Sequence, residues 1–454
     1  MKNFKFLSIL FIVFIFTYCS TEKDDNTPLV VTPKTALRAY LENGDTTYNW
    51  TIKSTYSVGS VSAYDIRLTS QKWREHTWVH QLTIFVPATI QYNGALLWIT
   101  GGSINNGEPN WTGQSDGENM AFALIAMKND ALVTVLRQTP NQPLYNDLTE
   151  VTLISYTLYQ YLNDGDYSWP LLFPMTKSAI RAMDAVQEFA QSELQQQIDE
   201  FLVSGASKRG WTTWLTGAHD SRVVAIAPAV IDMLNMPVSI NYHLEAWGAF
   251  SPQIQDYVDL GITDELSGQN GGDIATMIDP YSYKEKLTMP KLILLGTNDP
   301  YWPVDVVKHY IDEIPGQNYI HNTPNAGHGL NGGEQALYAL SAFWASTLQN
   351  TPYTECSWDI TENNNEITIK VQASGNQLNK ALLWVAESDD RDFRDAYWTS
   401  SEIDFDANGI VNEVINYPDS GFKAFYIDLG YTDTNGDDYT KSTRVFVTDS
   451  FSIL

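Results

Sequence analysis

Ser207 stands in the segment Gly205-Ala-Ser-Lys-Arg-Gly210, directly after the apolar run Phe201-Leu-Val-Ser204 and before a stretch whose spacing suits a helix. A serine held on such a tight strand-to-helix turn has small neighbours because the turn packs closely, and it presents its hydroxyl above the end of a sheet. A hydroxyl is a poor nucleophile at neutral pH and needs a base that takes its proton as the new bond forms. His328, in Pro324-Asn-Ala-Gly-His-Gly329, has the flanking glycines and the C-terminal position that such a base needs. Asp299 closes the apolar run Leu292-Ile-Leu-Leu-Gly-Thr-Asn-Asp299 and would hold the imidazole in one tautomer and offset its charge. Asp305 and Asp220 are the alternative acids, and His219 and His243 are the other histidines with a route to the pocket. A plainer reading also stands: Ser207 as a small turn residue, Asp299 as a helix cap before Pro300, and His328 as a loop residue.

An oxyanion forming at the attacked carbonyl needs two fixed N–H donors. The residue after the nucleophile supplies one, here the Lys208 amide; the loop after the first buried strand supplies the other, from Gly102 or Ser103. Lys208 and Arg209 put two cations beside the nucleophile, either to draw an anionic group of the substrate or to pair with buried acids. Arg209, Trp211 and Trp302 are the expected substrate contacts, with core packing the competing use for the tryptophans. No spacing of His, Asp, Glu or Cys suggests a catalytic metal, and no cofactor is expected.

The order Ser, Asp, His along the chain, the first two after apolar runs and the third in a glycine-flanked loop, is that of an α/β-hydrolase. The elements needed to hold the three residues can be read around them. Residues 50–64 and 78–87 read as antiparallel leading strands, 95–100 as the first buried strand, 119–128 as a helix and 131–136 as a strand. Residues 176–197 read as a helix feeding the elbow strand, and 223–229 as the next buried strand. Residues 232–290 interrupt this alternation with scattered aromatics and the run Ser267-Gly-Gln-Asn-Gly-Gly272, and form either a lid or a helical excursion without contact to substrate. A helix over 334–349 closes the domain at 35–350. Past residue 351, short alternating runs at 366–371, 381–385, 423–427 and 444–447 lie between Asn-, Gly- and Asp-rich turns, which predicts an all-β, sandwich-like domain over 351–454. Its segment Asp433-Thr-Asn-Gly-Asp-Asp438 has its glycine misplaced for a calcium loop and reads as a hairpin turn.

The chain has 454 residues, 43% of them hydrophobic, enough for a sizeable core in more than one domain. Its net charge of −27 grows more negative by two when Lys2 and Lys5 leave with an N-terminal leader, and disfavours nucleic acid and anionic membranes as partners. Residues 1–18 have the basic start and apolar core of an export signal, too short to span a bilayer. Cys19 follows immediately and resembles the lipidated cysteine of bacterial lipoproteins, although Tyr18 departs from the small residue usual there. The next residues, with Lys23, Asp24 and Asp25, resemble a surface-export signal on a flexible tether reaching to residue 34. The expectation is an exported outer-membrane lipoprotein, displayed on the cell surface and attached to the membrane only by lipid.

Gly205-Ala-Ser-Lys-Arg-Gly-Trp-Thr-Thr-Trp214, Gly296-Thr-Asn-Asp-Pro-Tyr-Trp302 and Asn325-Ala-Gly-His-Gly329 together resemble the PhoPQ-activated pathogenicity-related protein family. Arg137-Gln-Thr-Pro-Asn-Gln-Pro143, Trp169-Pro-Leu-Leu-Phe-Pro-Met175 and Ala227-Pro-Ala-Val-Ile-Asp232 extend the likeness over nearly the whole mature chain. The resemblance implies an α/β-hydrolase fold and a Ser207–Asp299–His328 triad, but no substrate. A serine hydrolase of carboxylic esters, including glycan esters, is the expected activity, with a peptidase of short peptides or a non-catalytic binding protein on the same fold as alternatives.

Overall fold

The computed structural model describes residues 30–268, 272–354, 356–363, 366–374 and 378–454. The export signal, Cys19 and the acidic run after it lie outside the described residues. Residues 31–454 form one compact unit, and no helix among the described residues is long and apolar enough to cross a membrane.

A short helix, α1 (Ala36–Leu41), precedes three antiparallel strands, β1 (Asn49–Val58), β2 (Val61–Trp73) and β3 (His76–Val86). The stretch expected as one strand over 50–64 therefore folds back at Gly59-Ser60, where Gly59 takes a φ of 61° that suits a turn. β4 (Gly94–Ile99) leads into a loop bearing the two-residue ribbon β5 (Ile104–Asn105) and β6 (Glu108–Pro109). Then follow α2 (Gly117–Asn129), β7 (Leu132–Leu136), α3 (Glu150–Asp164), α4 (Leu172–Phe189), β8 (Glu200–Ala206), α5 (Lys208–His219) and β9 (Val223–Ala229). α4 gives way to one π-helical turn at Ala190–Leu194, short of the end expected at residue 197. β10 (Lys291–Gly296), β11 (Asn318–Thr323) and α10 (Glu334–Leu348) follow the insertion; within it lie α6 (Met236–Trp247), α7 (Gln255–Asp259), α8 (Ile262–Ser267) and α9 (Gly272–Ile278).

The strands run in the order β1-β2-β3-β7-β4-β8-β9-β10-β11, parallel from β7 to β11. This is an α/β-hydrolase sheet, with β8, the strand that leads to Ser207, flanked on both sides by parallel strands. Strands such as LVTVL and KLILLG are apolar throughout because both faces are covered. In β4, Ala95, Leu97 and Ile99 join the core under α4 and α5, while Leu96, on the opposite pleat, joins the core under α2 and α10.

The C-terminal segment adds β12 (Cys356–Asn363), β13 (Glu366–Ala373), β14 (Leu378–Ser388), β15 (Thr399–Glu402), β16 (Ile410–Asn416), β17 (Phe422–Thr432), β18 (Asp438–Ser442) and β19 (Phe446–Thr448). β12, β13 and β16 make a small antiparallel sheet, whose Ile367, Ile369 and Val371 share a core with Phe425, Ile427 and Leu429 of β17, as sandwich layers do. The other strands extend the central sheet, since β18 pairs antiparallel with β11 at Ile320 and Ser442 and the order continues β18-β17-β14-β15. Residues 433–437 are the turn between β17 and β18, closed by the Asp433 carboxylate, which accepts from the Asn435 and Asp437 amides.

Candidate active site

Ser207 joins β8 to α5 with φ 59° and ψ −126°, a conformation that costs a non-glycine residue of order ~1–3 kcal/mol. The surroundings enforce it. The Ser207 amide donates to the Ala229 carbonyl of β9 (2.8 Å), and the Trp211 amide to the Ser207 carbonyl (2.9 Å). Glycine is required on either side: a methyl group on Gly205 would lie 2.8 Å from the Ile99 carbonyl, and one on Gly210 would lie 2.7 Å from Ile231 and 2.8 Å from the Ala229 carbonyl.

Asp299 and His328 follow β10 and β11, two neighbouring parallel strands, so their loops leave the sheet side by side. His328 Nδ1 lies 2.8 Å from Asp299 Oδ2 and Nε2 lies 2.9 Å from Ser207 Oγ. An ionised carboxylate only accepts, so Nδ1 carries the proton and Nε2 accepts from the serine hydroxyl. The Tyr301 amide donates to the other Asp299 oxygen (2.9 Å), and the Tyr301 ring stacks on the imidazole with centroids 4.2 Å apart. Asp305 and Asp220 are engaged elsewhere, with Tyr242 and Lys308 and with Arg222 respectively. His219 bonds the Leu215 carbonyl against Tyr283, and His243 packs behind Trp302.

Lys208 is the first residue of α5, so its amide is one of the helix donors without an intrahelical acceptor. The loop after β4 runs past the same helix: a methyl on Gly101 would come within 2.8 Å of Arg209 Nη2, and Gly102, at φ 131°, is pressed against Gln138. Ser103 is tied to Asn110 through its hydroxyl (2.6 Å) and its carbonyl (2.9 Å).

The two cations share one acid. Arg209 donates to both Glu150 oxygens (2.8 and 2.6 Å) and to the Thr139 carbonyl (2.6 Å), and Lys208 Nζ reaches Glu150 Oε2 (2.6 Å). Glu150, at φ 51°, exchanges two hydrogen bonds with Gln142. Partial burial works against its charge, but the Arg209 and Lys208 contacts outweigh it and hold the carboxyl at about 2. Burial, with Arg209 beside it, lowers the Lys208 ammonium. Of the two sequence alternatives for this pair, the structure has pairing with an acid; the Arg209 guanidinium is occupied by Glu150 and Thr139, and Arg209 is not among the residues lining the cavity described next.

That cavity opens at Ser207 and Lys208. Val151, Trp211, Ile231, Tyr301 and Trp302 form its wall on the sheet side, and Met233, Ile240, Ile254, Tyr257, Thr263 and Leu266 close it from the insertion. Residues 232–290 thus touch the site directly. Trp211 is buried, its indole N–H held by the Ile278 carbonyl (2.6 Å), and so presents only carbon to the space.

Several functional side chains carried no sequence signal of their own. Asn298, beside the triad acid, donates through Nδ2 to the carbonyls of Phe393 and Arg394 (3.1 Å each) and Ala396 (2.7 Å). Asn325, three residues before the histidine, donates to the Trp398 carbonyl (2.9 Å) and accepts from its amide (2.8 Å). Both triad loops are therefore gripped by the loop between β14 and β15. Arg391 of that loop reaches Tyr242 and Glu245 on α6 (2.5 and 3.2 Å), and Arg394 lies over the Trp247 ring (4.1 Å). Near Asp299, buried Asp232 accepts from the Tyr310 hydroxyl (2.6 Å); burial, with the charges of Asp299 and Asp305, pushes its carboxyl up to about 8.

Residues 37–394 match the family described as PhoPQ-activated pathogenicity-related protein. Autocrine proliferation repressor protein A of Dictyostelium discoideum is 30% identical over an alignment 432 positions long, gaps included, that covers 87% of this chain and 86% of that protein. Among solved structures, acetyl xylan esterase 1 of Thermoanaerobacterium sp. aligns with a TM-score of 0.45 at 16% identity, covering 65% of this chain and 88% of its own. S-formylglutathione hydrolase of Agrobacterium tumefaciens gives 0.45 at 11% identity, over 66% and 99%. The acylaminoacyl peptidase of Pyrococcus horikoshii gives 0.42 at 12%, over 68% and 50%.

Proposed function

This chain belongs to the PhoPQ-activated pathogenicity-related protein family, and from that premise we propose that it is a serine hydrolase acting on carboxylic esters through Ser207, His328 and Asp299. The observation that carries the reading is the unbroken line Asp299–His328–Ser207 ending on a serine held at φ 59°. As Ser207 Oγ bonds to the carbonyl carbon, its proton passes to His328 Nε2 and the carbonyl oxygen becomes an oxyanion, received by the Lys208 amide and the Gly102–Ser103 loop. Collapse breaks the bond to the leaving oxygen, which takes the proton from Nε2. Water then repeats the sequence on the acyl-serine, releasing the acid and restoring the hydroxyl. Asp299 stays ionised throughout and steadies the imidazolium.

The sequence of residues 1–34 supports export and a lipid tether at Cys19, which would place this hydrolase at the outer membrane, facing small-molecule, glycan-ester or peptide substrates rather than nucleic acid. Fluorophosphonate labelling of the protein from Thr27 onward, beside Ser207→Ala and His328→Ala, tests the catalytic reading. Labelling of the wild type at Ser207, abolished in the first variant and slowed by on the order of 10⁶ in the second, is expected; an unlabelled wild type would overturn it. Mass spectrometry of the N-terminus of the membrane-associated protein tests the tether, with diacylglyceryl-Cys19 expected.

A further inference from the structure

We infer that the cavity beside Ser207 is an acyl pocket, and that the protein selects esters whose acid part is a compact apolar group, such as a short branched chain or a single aromatic ring, over acetate and over acids bearing charge. This rests on the serine-hydrolase reading and specifies its substrate.

Three observations carry it. First, the wall is carbon. Ile231, Met233, Ile240, Ile254 and Leu266 are at most 5% exposed, and Trp211 and Trp302 add indole faces at 4% and 7%. A carboxylate or a hydroxylated sugar placed among them would lose its water for few polar replacements, the lining adding only those of Thr263, Tyr257, Tyr301 and Trp302 beside Ser207 and Lys208. Each unreplaced partner costs several kcal/mol by general transfer data, whereas an apolar group gains by leaving water. Second, the cation among the described residues of the lining is spent: Lys208 Nζ is bonded to Glu150 (2.6 Å), which Arg209 also engages, so that acid and that cation satisfy each other before substrate arrives.

Third, the cavity lies on the side that keeps its guest. It is lined by Ser207, which bonds the acyl carbon, and by Lys208, whose amide receives the oxyanion. His328, which must return its proton to the departing oxygen, does not line it, but borders a separate cleft with Trp98, Glu118, Ala206, Gly329 and Leu337. A group lodged in the first cavity therefore remains attached to Ser207 when the alcohol leaves past His328. The cap sets the limit of size, because α6 and α8 bring Ile240 and Leu266 against the far wall.

The experiment is an acyl series of p-nitrophenyl esters (acetate, butyrate, 3-methylbutyrate, hexanoate, benzoate and hemisuccinate) assayed on the protein from Thr27 onward, with fluorophosphonate labelling of Ser207 run in parallel. Expected is kcat/KM rising roughly fourfold per added methylene from acetate, with benzoate and 3-methylbutyrate among the best and hemisuccinate below acetate. Ile240→Trp, which fills the space from the insertion, is expected to reverse the order so that acetate leads. Wild-type labelling with acetate or hemisuccinate preferred would overturn the acyl-pocket assignment and leave the hydrolase reading standing. Absence of wild-type labelling would overturn both. The wild-type series decides the matter even if Ile240→Trp does not fold.

Discussion

Two regions outside the hydrolase core reach the triad, and they do so by opposite chemistry. The insertion, residues 232–290, offers mainly apolar side chains: Met233, Ile240, Ile254 and Leu266 shape a space beside Ser207, and the Ser251 hydroxyl adds a single directional contact, donating to the Pro300 carbonyl (2.7 Å). The loop between β14 and β15 offers backbone: the carbonyls of Phe393, Arg394, Ala396 and Trp398 fix Asn298 and Asn325, next to Asp299 and near His328. Apolar walls are non-directional and tolerate repacking, so a cap of this kind can change what is bound without moving the reacting atoms. Hydrogen bonds to fixed carbonyls are directional and determine where a loop ends. The first region suits selection, the second geometry.

Removing both asparagines should separate the two most sharply. Asn298→Ala combined with Asn325→Ala is expected to slow the labelling of Ser207, and kcat on any ester found, by on the order of 100-fold with KM within about twofold, because small misplacement of a catalytic group is expensive. Each single variant should fall short of half that effect in logarithmic terms, since both side chains grip one loop. Equal loss in kcat and KM, or a fall that tracks melting temperature alone, would erase the distinction drawn here.

Glu150 belongs to neither region, so its replacement sharpens the contrast. In Glu150→Gln the Arg209 and Lys208 cations lose their shared charge, and a melting temperature several degrees below wild type is expected at pH 7. Because the folded carboxyl titrates at about 2, below its ordinary 4.5, its stabilisation is present above pH 4.5 and lost as the pH falls toward 2. The gap between variant and wild type should close over that window in thermal melts. A cap substitution should act differently: Leu266→Ala is expected to raise KM for apolar esters about tenfold, with labelling by a small fluorophosphonate changed less than about threefold and stability reduced by ~2–3 kcal/mol.

The smallest effect is expected behind the site. Asp232 keeps its proton in the folded state up to about pH 8, whereas an exposed aspartate releases it near 3.8, so the protein loses stability as pH rises between those values. Asp232→Asn should flatten that part of the stability profile while labelling at pH 7 stays near wild type.

The elbow was legible in the sequence because everything that makes it is local: an apolar strand, glycines where α5 meets β8 and β9, and a serine between them. Asp299 could be picked out because it follows an apolar strand, and His328 by its flanking glycines, whereas the strand Asn318–Thr323 that precedes His328 is too polar to be read from pattern. The insertion could be placed by its break in the strand-helix alternation, but its contact with Ser207 depends on how helices α6 to α9 fold over the sheet, which no local pattern records. Asn298 and Asn325 lay in plain view within the motifs, yet their partners are backbone carbonyls about 70 to 100 residues away, and a carbonyl has no residue type to read. Glu150 was hidden by the absence of a strand or histidine nearby. Thr149 before Glu150, followed by the buried Leu153, Ile154, Leu158 and Tyr161, is a helix-start signal that could have located α3.

The pairing of β11 with β18 bears on how this polypeptide can be handled and shortened. A version ending near residue 350 would keep Ser207, Asp299 and His328 but strip β11 of its outer neighbour, uncovering the strand edge around Ile320, whose side chain is buried in the whole protein. Uncovered edges recruit other chains, so such a fragment is expected to be recovered as aggregate rather than as a smaller enzyme. Searches for a minimal hydrolase would then blame the chemistry for a failure of solubility, and libraries built to alter this scaffold should carry its last hundred residues intact.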